Sequence, residues 1–302
     1  MRRFYKKLRP LSRQKARKLH GMIFPNWPAA QTEISLQQRE NFARDGFLAL
    51  ENVLSEDEVQ NAKNALRVVV ETLQKSHKTL KNNYGEVWAA PDSPLKIQFQ
   101  KGHEPRGEND PQLHDKVRKF HDFVDCDEFL RFLALEHPKI QGILGGLIGQ
   151  NPILSQDMAL VNPPRIGTGK PWHQDDAYFK IAPLEAVCGV WIALDDAEIE
   201  NGCMHFLPGW HKRGALRHFH GSDCEIWPER LREIESQIVP TPLKSGGAVF
   251  FSGVAPHMTK PNSSEKRRRA LQFHYRARDS RFVSDEEYDA IFVESDGSPA
   301  SC

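Results

Sequence analysis

The residues best suited to metal chemistry in this chain are His173 and Asp175, two positions apart, and the distant His257. On a β-strand, residues i and i+2 point to the same side, so His173 and Asp175 could bind one ion while Gln174 faces away. A histidine from a later strand would complete a set of two imidazoles and one carboxylate. Non-haem Fe(II) oxygenases use this donor set, which leaves metal positions open for a co-substrate and for oxygen.

The tripeptide alone carries little weight, because a chain with 13 histidines contains about one His-x-Asp by chance. Its surroundings strengthen the interpretation, since a predicted strand follows it and His257 comes after the apolar run at residues 248–251. Asp176 is an alternative carboxylate. The i, i+2 geometry favours Asp175, because that residue would share a strand face with His173.

The N-terminal half of the chain predicts mainly helices. Capping boxes at residues 35–38 and 55–58 mark two helix starts, and apolar residues at helical spacing extend the second helix over about five turns. Gly46 ends the first helix. Residues 76–112 are polar and punctuated by Gly and Pro, which predicts a loop except at the alternating Leu95, Ile97 and Phe99. Residues 111–147 are predicted to be rich in helix.

The C-terminal half changes to short β-like runs separated by turn signals such as Asn-Gly and Pro-Gly. Many short strands without alternating helices favour an antiparallel sandwich or jelly roll with helices packed outside it. The predicted strands lie at residues 158–161, 187–194, 205–207, 248–251 and 271–275.

Charge is distributed unevenly along the chain. Residues 1–32 carry nine of the 41 Lys and Arg residues and no acid, so the remainder has a formal charge of −8 although the whole chain has +1. Basic residues interleaved with aromatic ones are typical of a segment that binds an anionic membrane surface. A poorly ordered extension and a mitochondrial transit peptide remain alternatives for this arm.

Composition and cysteine usage exclude several classes of protein. The 302 residues are 27% charged and 39% apolar, as in globular proteins. The sequence contains no run of about 18 apolar residues and no secretory signal, so neither a membrane span nor export by that route is expected. The five cysteines are widely spaced without a Cys-x-x-Cys pair, so neither a zinc site nor a disulfide framework is expected. The balanced charge argues against a nucleic-acid partner. The expected location is the cytoplasm, with the inner membrane face or, in a eukaryote, mitochondria as alternatives.

Several sequence blocks, in this order, resemble the phytanoyl-CoA dioxygenase family of Fe(II)- and 2-oxoglutarate-dependent oxygenases. The resemblance implies a mainly β fold with flanking helices: a double-stranded β-helix (jelly roll, cupin-like) at about residues 151–280, within a single domain at residues 33–302. Residues 1–32 and most of 88–112 lie outside the resemblance. The blocks are residues 42–47, 53–55, 173–175, 191–196, 200–203, 208–211 and 248–257.

The resemblance also implies the roles of individual residues. Arg268, eleven residues after the second histidine, would bind the distal carboxylate of 2-oxoglutarate through its guanidinium fork. Arg267 and Arg269 are neighbours that could be mistaken for it; strand alternation places Arg268 on one face with Gln272 and His274. The implied metal ligands and catalytic residues are His173, Asp175 and His257.

Three further residues would line the co-substrate pocket by resemblance. Lys96 could contact a carboxylate of 2-oxoglutarate, although an exposed lysine at a strand edge is an equally simple interpretation. Met158 and Trp191 could form the pocket wall, although apolar residues in strands more often belong to the core. The remaining histidines, including His218 and His220, have no spacing argument and are expected at the surface or on the substrate side.

The implied reaction hydroxylates an unactivated C–H bond with O2 and converts 2-oxoglutarate to succinate and CO2, with ascorbate as a reductant in vitro. Asp175 favours hydroxylation, because halogenating relatives lack this carboxylate. The basic arm suggests an anionic, membrane-associated substrate, for example a lipid-linked sugar such as the Kdo of lipopolysaccharide. A soluble metabolite or an acyl-CoA is the alternative substrate, and a non-catalytic jelly-roll binding module is the rival class.

Overall fold

The computed structural model describes residues 34–82, 85–107, 110–221, 223–232 and 234–302. The predicted basic arm at residues 1–32 lies outside these ranges, so its possible roles stay predictions. Within the described ranges, no helix has both the length and the apolar composition that crossing a bilayer requires.

Six α-helices occur in the described part of the chain, and the first two begin where the capping boxes predict. Ser35 and Ser55 each accept a hydrogen bond from a backbone N–H three residues later, and the side chains of Gln38 and Glu58 accept in return. Gly46 ends the first helix with a φ of 84°, in the left-handed region that glycine adopts without strain. The helices are α1 (Leu36–Asp45), α2 (Glu56–Lys75), α3 (Leu113–Lys116), α4 (Glu128–Leu135), α5 (Pro138–Leu147) and α6 (Asp285–Ile291).

The main sheet has nine strands, and each neighbouring pair is antiparallel. All five predicted strands of the C-terminal half are confirmed, four of them in this sheet. In spatial order the strands are β1 (Phe47–Leu50), β14 (Ala248–Ser252), β9 (Val187–Ala193), β16 (Arg268–Arg276), β6 (Ile153–Asn162), β5 (Val117–His121), β4 (Lys96–Phe99), β3 (Gly85–Ala89) and β2 (Lys78–Asn82).

A second antiparallel sheet of four strands lies against the main one and completes the predicted jelly-roll core. Its strands are, in spatial order, β13 (Val239–Thr241), β10 (Met204–Phe206), β15 (His257–Thr259) and β7 (Lys170–His173). Two short ribbons are formed by β11 (His218–His220) with β12 (Cys224–Ile226), and by β8 (Ile181–Ala182) with β17 (Arg281–Phe282).

The loop prediction for residues 76–112 is wrong in part. This stretch contains β2 and β3, and β2 is exposed along its whole length with no apolar alternation to indicate a strand, whereas β4 lies at the alternation noted at residues 95–99. Residues 111–147 are rich in helix as predicted, and they also contain β5. A bulge opposite Gln98 and Phe99 places Val117 and Phe120, three residues apart, in the core together, and this spacing imitates a helix.

Strand β16 divides apolar from polar side chains. Leu271, Phe273 and Tyr275 belong to the core between the main sheet and the helices, and the Tyr275 hydroxyl donates to the carbonyl of Ala134 in α4 at 2.6 Å. Residues of the opposite parity therefore face the second sheet. They are Arg268, Ala270, Gln272 and His274, all buried, so the interior of the jelly roll is polar at this strand.

The structure contradicts the expectation that the cysteines form no disulfide. Cys224 in β12 and Cys302 are disulfide-bonded across a sequence separation of 78 residues. The backbone N–H of His218 also donates to the carbonyl of Ala300, so the chain's last residues are held beside the β11–β12 ribbon. Because the pairing depends on tertiary structure, cysteine spacing alone could not reveal it.

A buried hydrogen bond joins the start of α2 to the start of α5. Glu58 and His137 are both buried, and His137 Nε2 lies 3.1 Å from Glu58 Oε1. Since His137 Nδ1 accepts from the backbone N–H of Ile140, Nε2 carries the proton and donates it. Burial alone would raise the pKa of Glu58, but His137 and Ser55 hold this pKa below its ordinary value.

We predict that Glu58→Gln lowers the free energy of unfolding at pH 7 by about 1–3 kcal/mol, because the charged acceptor of a buried hydrogen bond is lost. The folded-state pKa is lowered, so this contribution is complete above the unfolded-state pKa and disappears as the pH falls through the folded-state value. Denaturant titration at pH 7 and at about pH 3 measures the free energy of unfolding of the wild-type and Glu58→Gln proteins. The difference between the two free energies should be smaller at the lower pH. Glu56→Gln, at an exposed position of the same turn, is the control and should change stability by less than about 0.5 kcal/mol. An undiminished difference in acid would contradict the prediction.

Candidate functional site

The three residues predicted to bind metal come together in the second sheet. Strands β7 and β15 pair so that His173 lies directly opposite His257, and Asp175 follows in the short turn after β7. One ligand atom from each of the three lies within 4.8 Å of the others. All three side chains are buried, so the cluster is preformed inside the jelly roll.

Hydrogen bonds fix which ring nitrogen of each histidine faces the cluster. His173 Nδ1 lies 2.8 Å from the carbonyl of Pro171, and His257 Nδ1 lies 3.0 Å from the carbonyl of Ala255. Carbonyl oxygens only accept, so both Nδ1 atoms carry the proton and donate it. The Nε2 lone pairs are left for a metal, and they lie 3.4 and 3.7 Å from oxygens of Asp175.

The protonation states of the cluster are those that metal ligation requires. Burial lowers the pKa of His173 to about 3 and also lowers the pKa of His257. Burial alone would raise the pKa of Asp175, but the neighbouring imidazoles, first His274 and then His257, bring it well below the ordinary value. Two neutral imidazoles beside one carboxylate fit a divalent cation, because each offers a free lone pair.

His274 supports the carboxylate from the main sheet. Its Nε2 donates to Asp175 Oδ2 at 2.7 Å, and the side chain is fully buried. Strand alternation predicts that His274 lies on the same face as Arg268, and no role for this histidine follows from the sequence. The shared face is the one sequence feature that could have indicated a role for His274, because residues on one strand face point toward the same side of the sheet.

His218 holds the backbone between the first two ligands. Its Nε2 accepts from the backbone N–H of Gln174 at 3.1 Å, while its Nδ1 donates to the carbonyl of Leu216 at 2.6 Å. The prediction that this histidine lies at the surface or on the substrate side is therefore wrong, since it is buried. No spacing in the sequence brings residues 174 and 218 together.

Asp176 lies next to the cluster without joining it. Both of its carboxylate oxygens are buried without a hydrogen-bond partner among the described residues, and a Cβ on Gly253 would come within 2.2 Å of Oδ1. Burial, with the charge of Asp175 adding to it, raises the pKa of Asp176 well above its ordinary value. A neutral acid packed against Gly253 is a poor metal ligand.

The three consecutive arginines have different surroundings. Arg267 pairs with Asp115, and Arg269 pairs with both oxygens of Asp195 at 2.8 Å. Arg268 is buried, and its Nε and Nη1 have no partner among the described residues. Burial lowers its pKa to about 10, so it stays charged at neutral pH. A buried, unpaired guanidinium is suited to binding a carboxylate.

The other predicted pocket residues share one row across the main sheet. In register, Lys96 lies opposite His121, His121 opposite Met158, Met158 opposite Gln272, and Gln272 opposite Trp191. All five therefore point to the interior face. Trp191 is buried with its Nε1 unpartnered in the described structure, Met158 is half-buried, and Lys96 is exposed at the end of the row.

Comparison with known families identifies this arrangement. The sequence model of the family Phytanoyl-CoA dioxygenase (PhyH) matches residues 42–270, a range that includes the three metal-ligand candidates and Arg268 but neither Gln272 nor His274. The chain belongs to the phytanoyl-CoA dioxygenase family. It is therefore an oxygenase that depends on iron and 2-oxoglutarate, and the predicted cofactors are confirmed.

Three known proteins are similar to this chain. A phytanoyl-CoA dioxygenase domain-containing protein 1 homolog from Caenorhabditis briggsae is 28% identical over 78% of this chain and 88% of its own length. A methylphosphonate hydroxylase from Gimesia maris is 30% identical over 85% and 86%. The crystal structure of EvdO2 from Micromonospora carbonacea var. aurantiaca complexed with 2-oxoglutarate has a TM-score of 0.59 and 24% identity, and covers 83% of this chain and 94% of that one. Its likeness confirms the predicted fold.

We predict that Asp175→Ala strongly weakens Co(II) binding, because a direct ligand is removed. Loss of a hydrogen-bond partner of a ligand typically costs roughly 10–100-fold in affinity, and the loss in Asp175→Ala should be larger than this. Calorimetric titration of Co(II) under anaerobic conditions measures the affinity. The matched control is Asp176→Asn, which keeps the shape of a neutral side chain and should leave Co(II) affinity unchanged within error. Equal losses in the two variants would contradict the choice of Asp175.

Proposed function

We propose that this chain is a hydroxylase in which His173, Asp175 and His257 hold Fe(II) and Arg268 binds the distal carboxylate of 2-oxoglutarate. The proposal rests on two features of one interior. The buried triad has the protonation states that metal binding requires, and the buried Arg268 has no partner for Nε and Nη1 among the described residues. When bound, iron and 2-oxoglutarate supply the oxidising chemistry, which couples decarboxylation to succinate and CO2 with oxygenation of a C–H bond.

The chain's own residues hold and shield this site. Carbonyls of Pro171 and Ala255 orient the two imidazoles, and His274 orients the carboxylate. The rings of Phe206 and Phe251 lie 5.7 and 4.8 Å from the ring of His257. Apolar rings at these distances keep water from one side of the ligand set and help confine the reaction to the pocket.

Trp191 and Met158 are proposed to form the wall of the 2-oxoglutarate pocket, and Lys96 to contact a carboxylate from the open end of their row. Support for Trp191 comes from its position 5.3 Å from the Arg268 guanidinium. Its unpartnered Nε1 is a donor that a carboxylate or carbonyl oxygen would satisfy.

The proposed substrate is a small molecule with an anionic group. Positive side chains lie near the metal ligands, since Lys170 acts electrostatically on both His173 and His257. The related methylphosphonate hydroxylase is named for an anionic substrate. Kdo, a lipid-linked sugar and a membrane surface stay predictions tied to residues 1–32, and so does the cytoplasmic location.

Anaerobic binding followed by turnover tests the proposed function. Wild-type protein should bind Fe(II) and 2-oxoglutarate, develop the visible absorption of their complex, and release succinate when O2 and ascorbate are added. Asp175→Ala should lose both the absorption and succinate formation. Absence of 2-oxoglutarate binding in the wild-type protein would overturn the proposal and favour a non-catalytic binding module.

We predict that Arg268→Lys raises the dissociation constant for 2-oxoglutarate at least about tenfold, because the bidentate fork is replaced by a point charge. Co(II) affinity should be unchanged, since Arg268 is not a metal ligand. Calorimetry with Co(II)-loaded protein measures both constants. Arg267→Lys, which keeps a cation beside Asp115, is the control and should bind 2-oxoglutarate like wild type; weaker binding there would reassign the carboxylate partner.

A further inference from the structure

A segment that follows the jelly roll packs against the backbone of the metal-ligand candidates. This segment, residues 284–302, contains α6 and lies beyond the range that the family model matches. A bridge between Val293 and Pro299 folds it back on itself, so that Ala300 returns to the end of α6. We call residues 284–302 the C-terminal segment and residues 173–177 the ligand turn.

The first contact of the C-terminal segment with the ligand turn lies just after Asp175. The hydroxyl of Tyr288 in α6 donates a hydrogen bond to the carbonyl of Asp176, and the Tyr288 side chain is buried. Ala177 of the ligand turn packs against the apolar cluster that contains Tyr288. The helix therefore holds the backbone on one side of Asp175.

A second contact lies just before Asp175 and passes through His218. The backbone N–H of His218 donates to the carbonyl of Ala300 at 2.9 Å, and the His218 ring lies 5.8 Å from the ring of Phe292. Nε2 of this histidine accepts from the backbone N–H of Gln174 at 3.1 Å. The backbone on both sides of Asp175 is therefore tied to the C-terminal segment.

The ligand turn also has hydrogen bonds that do not involve the C-terminal segment. The side-chain amide of Gln174 donates to the carbonyls of Gly214 and Val254 at 2.8 and 2.7 Å. The same amide accepts from the backbone N–H of Leu216 at 2.8 Å. These bonds should keep the turn folded when the C-terminal segment moves away. Opening of the segment is therefore expected to loosen the position of Asp175 without unfolding the jelly roll.

A disulfide attaches the C-terminal segment to the jelly roll. Cys302 is bonded to Cys224 across a separation of 78 residues, and Cys224 lies in β12, which pairs with the strand that begins at His218. An ion pair assists, because Glu294 accepts from Nε and Nη2 of Arg230 at 2.6 and 2.5 Å. A cross-link over a long loop lowers the entropy of the opened chain. The oxidised protein should therefore favour the closed position of the segment.

The disulfide is accessible to thiol reagents from one side. Cys302 is exposed, whereas Cys224 is buried, so an external thiolate can attack the sulfur of Cys302 and displace the Cys224 thiolate. With a dithiol, the second thiol of the reagent then attacks the mixed disulfide and releases Cys302. The protein gains two electrons and two protons, and the dithiol becomes its cyclic disulfide.

We propose that the C-terminal segment is a positioning element for the metal ligands, and that the Cys224–Cys302 disulfide makes metal affinity depend on the thiol redox state. In the oxidised protein, Tyr288 and His218 hold the ligand turn in the geometry that binds the metal. Reduction by a dithiol lets the segment open more often, and the position of Asp175 becomes less defined. This coupling rests on the proposed function, because it concerns the same metal site.

The Co(II) affinities of oxidised wild-type protein and of Cys302→Ser, which lacks the disulfide without any reducing agent, test the proposal. Anaerobic calorimetry should show binding at least about fivefold weaker in the variant, the lower end of typical coupling between sites. Cys126→Ser, at an exposed free cysteine, is the matched control and should bind like wild type. A smaller loss in Cys302→Ser would overturn the proposal.

A double-mutant cycle tests whether the disulfide acts through the ligand turn. Tyr288→Phe removes the bond to the Asp176 carbonyl and should weaken Co(II) binding in the oxidised protein by about two- to tenfold, as expected for one hydrogen bond. The same substitution should cost less in Cys302→Ser, because the contact is formed less often there. Tyr275→Phe, which removes a buried hydroxyl bond to Ala134, is the control and should leave Co(II) affinity unchanged. Equal effects of Tyr288→Phe in the two backgrounds would contradict the proposal.

Thermodynamic linkage provides a readout that a purely structural disulfide would not give. If oxidation tightens Co(II) binding, bound Co(II) must stabilise the disulfide by the same factor, and its reduction potential becomes more negative. An affinity change of about fivefold corresponds to a shift of about 20 mV. Glutathione redox buffers, with free Co(II) held constant by a chelator, measure the potential with and without the metal. A potential that does not respond to Co(II) would also overturn the proposal.

Failure of the proposed function gives a different result. If oxidised wild-type protein binds no Co(II), the metal site is absent and the proposed function itself has failed. Full affinity in both wild type and Cys302→Ser leaves the metal site intact and removes only the role of the disulfide. Thermal melting of each variant checks that it is folded. Should Cys302→Ser be unfolded at the assay temperature, wild-type protein that has been reduced with a dithiol and then separated from it replaces the variant.

Discussion

The antiparallel pairing of β7 with β15 is the contact on which the site depends. It places His173 opposite His257 and leaves Asp175 at the turn where the chain leaves the sheet. Backbone carbonyls then select the tautomer of each ring. Local backbone geometry therefore builds the donor set, and the rest of the jelly roll keeps water and competing charges away from it.

The main sheet contributes the groups that act on this donor set from the other side. His274 orients Asp175, and Arg268 lies in the same interior with Nε and Nη1 unpartnered in the part of the chain that the structure describes. Burying these polar groups costs free energy, and the apolar face of the same strand offsets part of that cost. Leu271 and Phe273 are fully buried against the helical layer. One strand thus couples the stability of the core to the chemistry of the interior.

Strand alternation and ordered family blocks were sufficient to predict the jelly roll, the three residues that come together in the second sheet and its following turn, and the strand face that Arg268 shares with Gln272 and His274. Contacts between segments that are distant in the sequence were not predicted. The bond from His218 to Gln174 and the disulfide between Cys224 and Cys302 arise from tertiary contacts that no local pattern encodes. Strand β5 was not predicted, because the extra residue at its bulge gives its buried apolar side chains a spacing that resembles a helix.

The two-sided character of β16 also limits how this chain can change in evolution. A single inserted or deleted residue within Arg268–Arg276 would exchange the two faces from that point onward. Phe273 or Tyr275 would then enter the polar interior, while His274 would press into the helices. The length of this strand is therefore fixed by two unrelated demands at once, and its sequence can change by substitution but not by insertion or deletion.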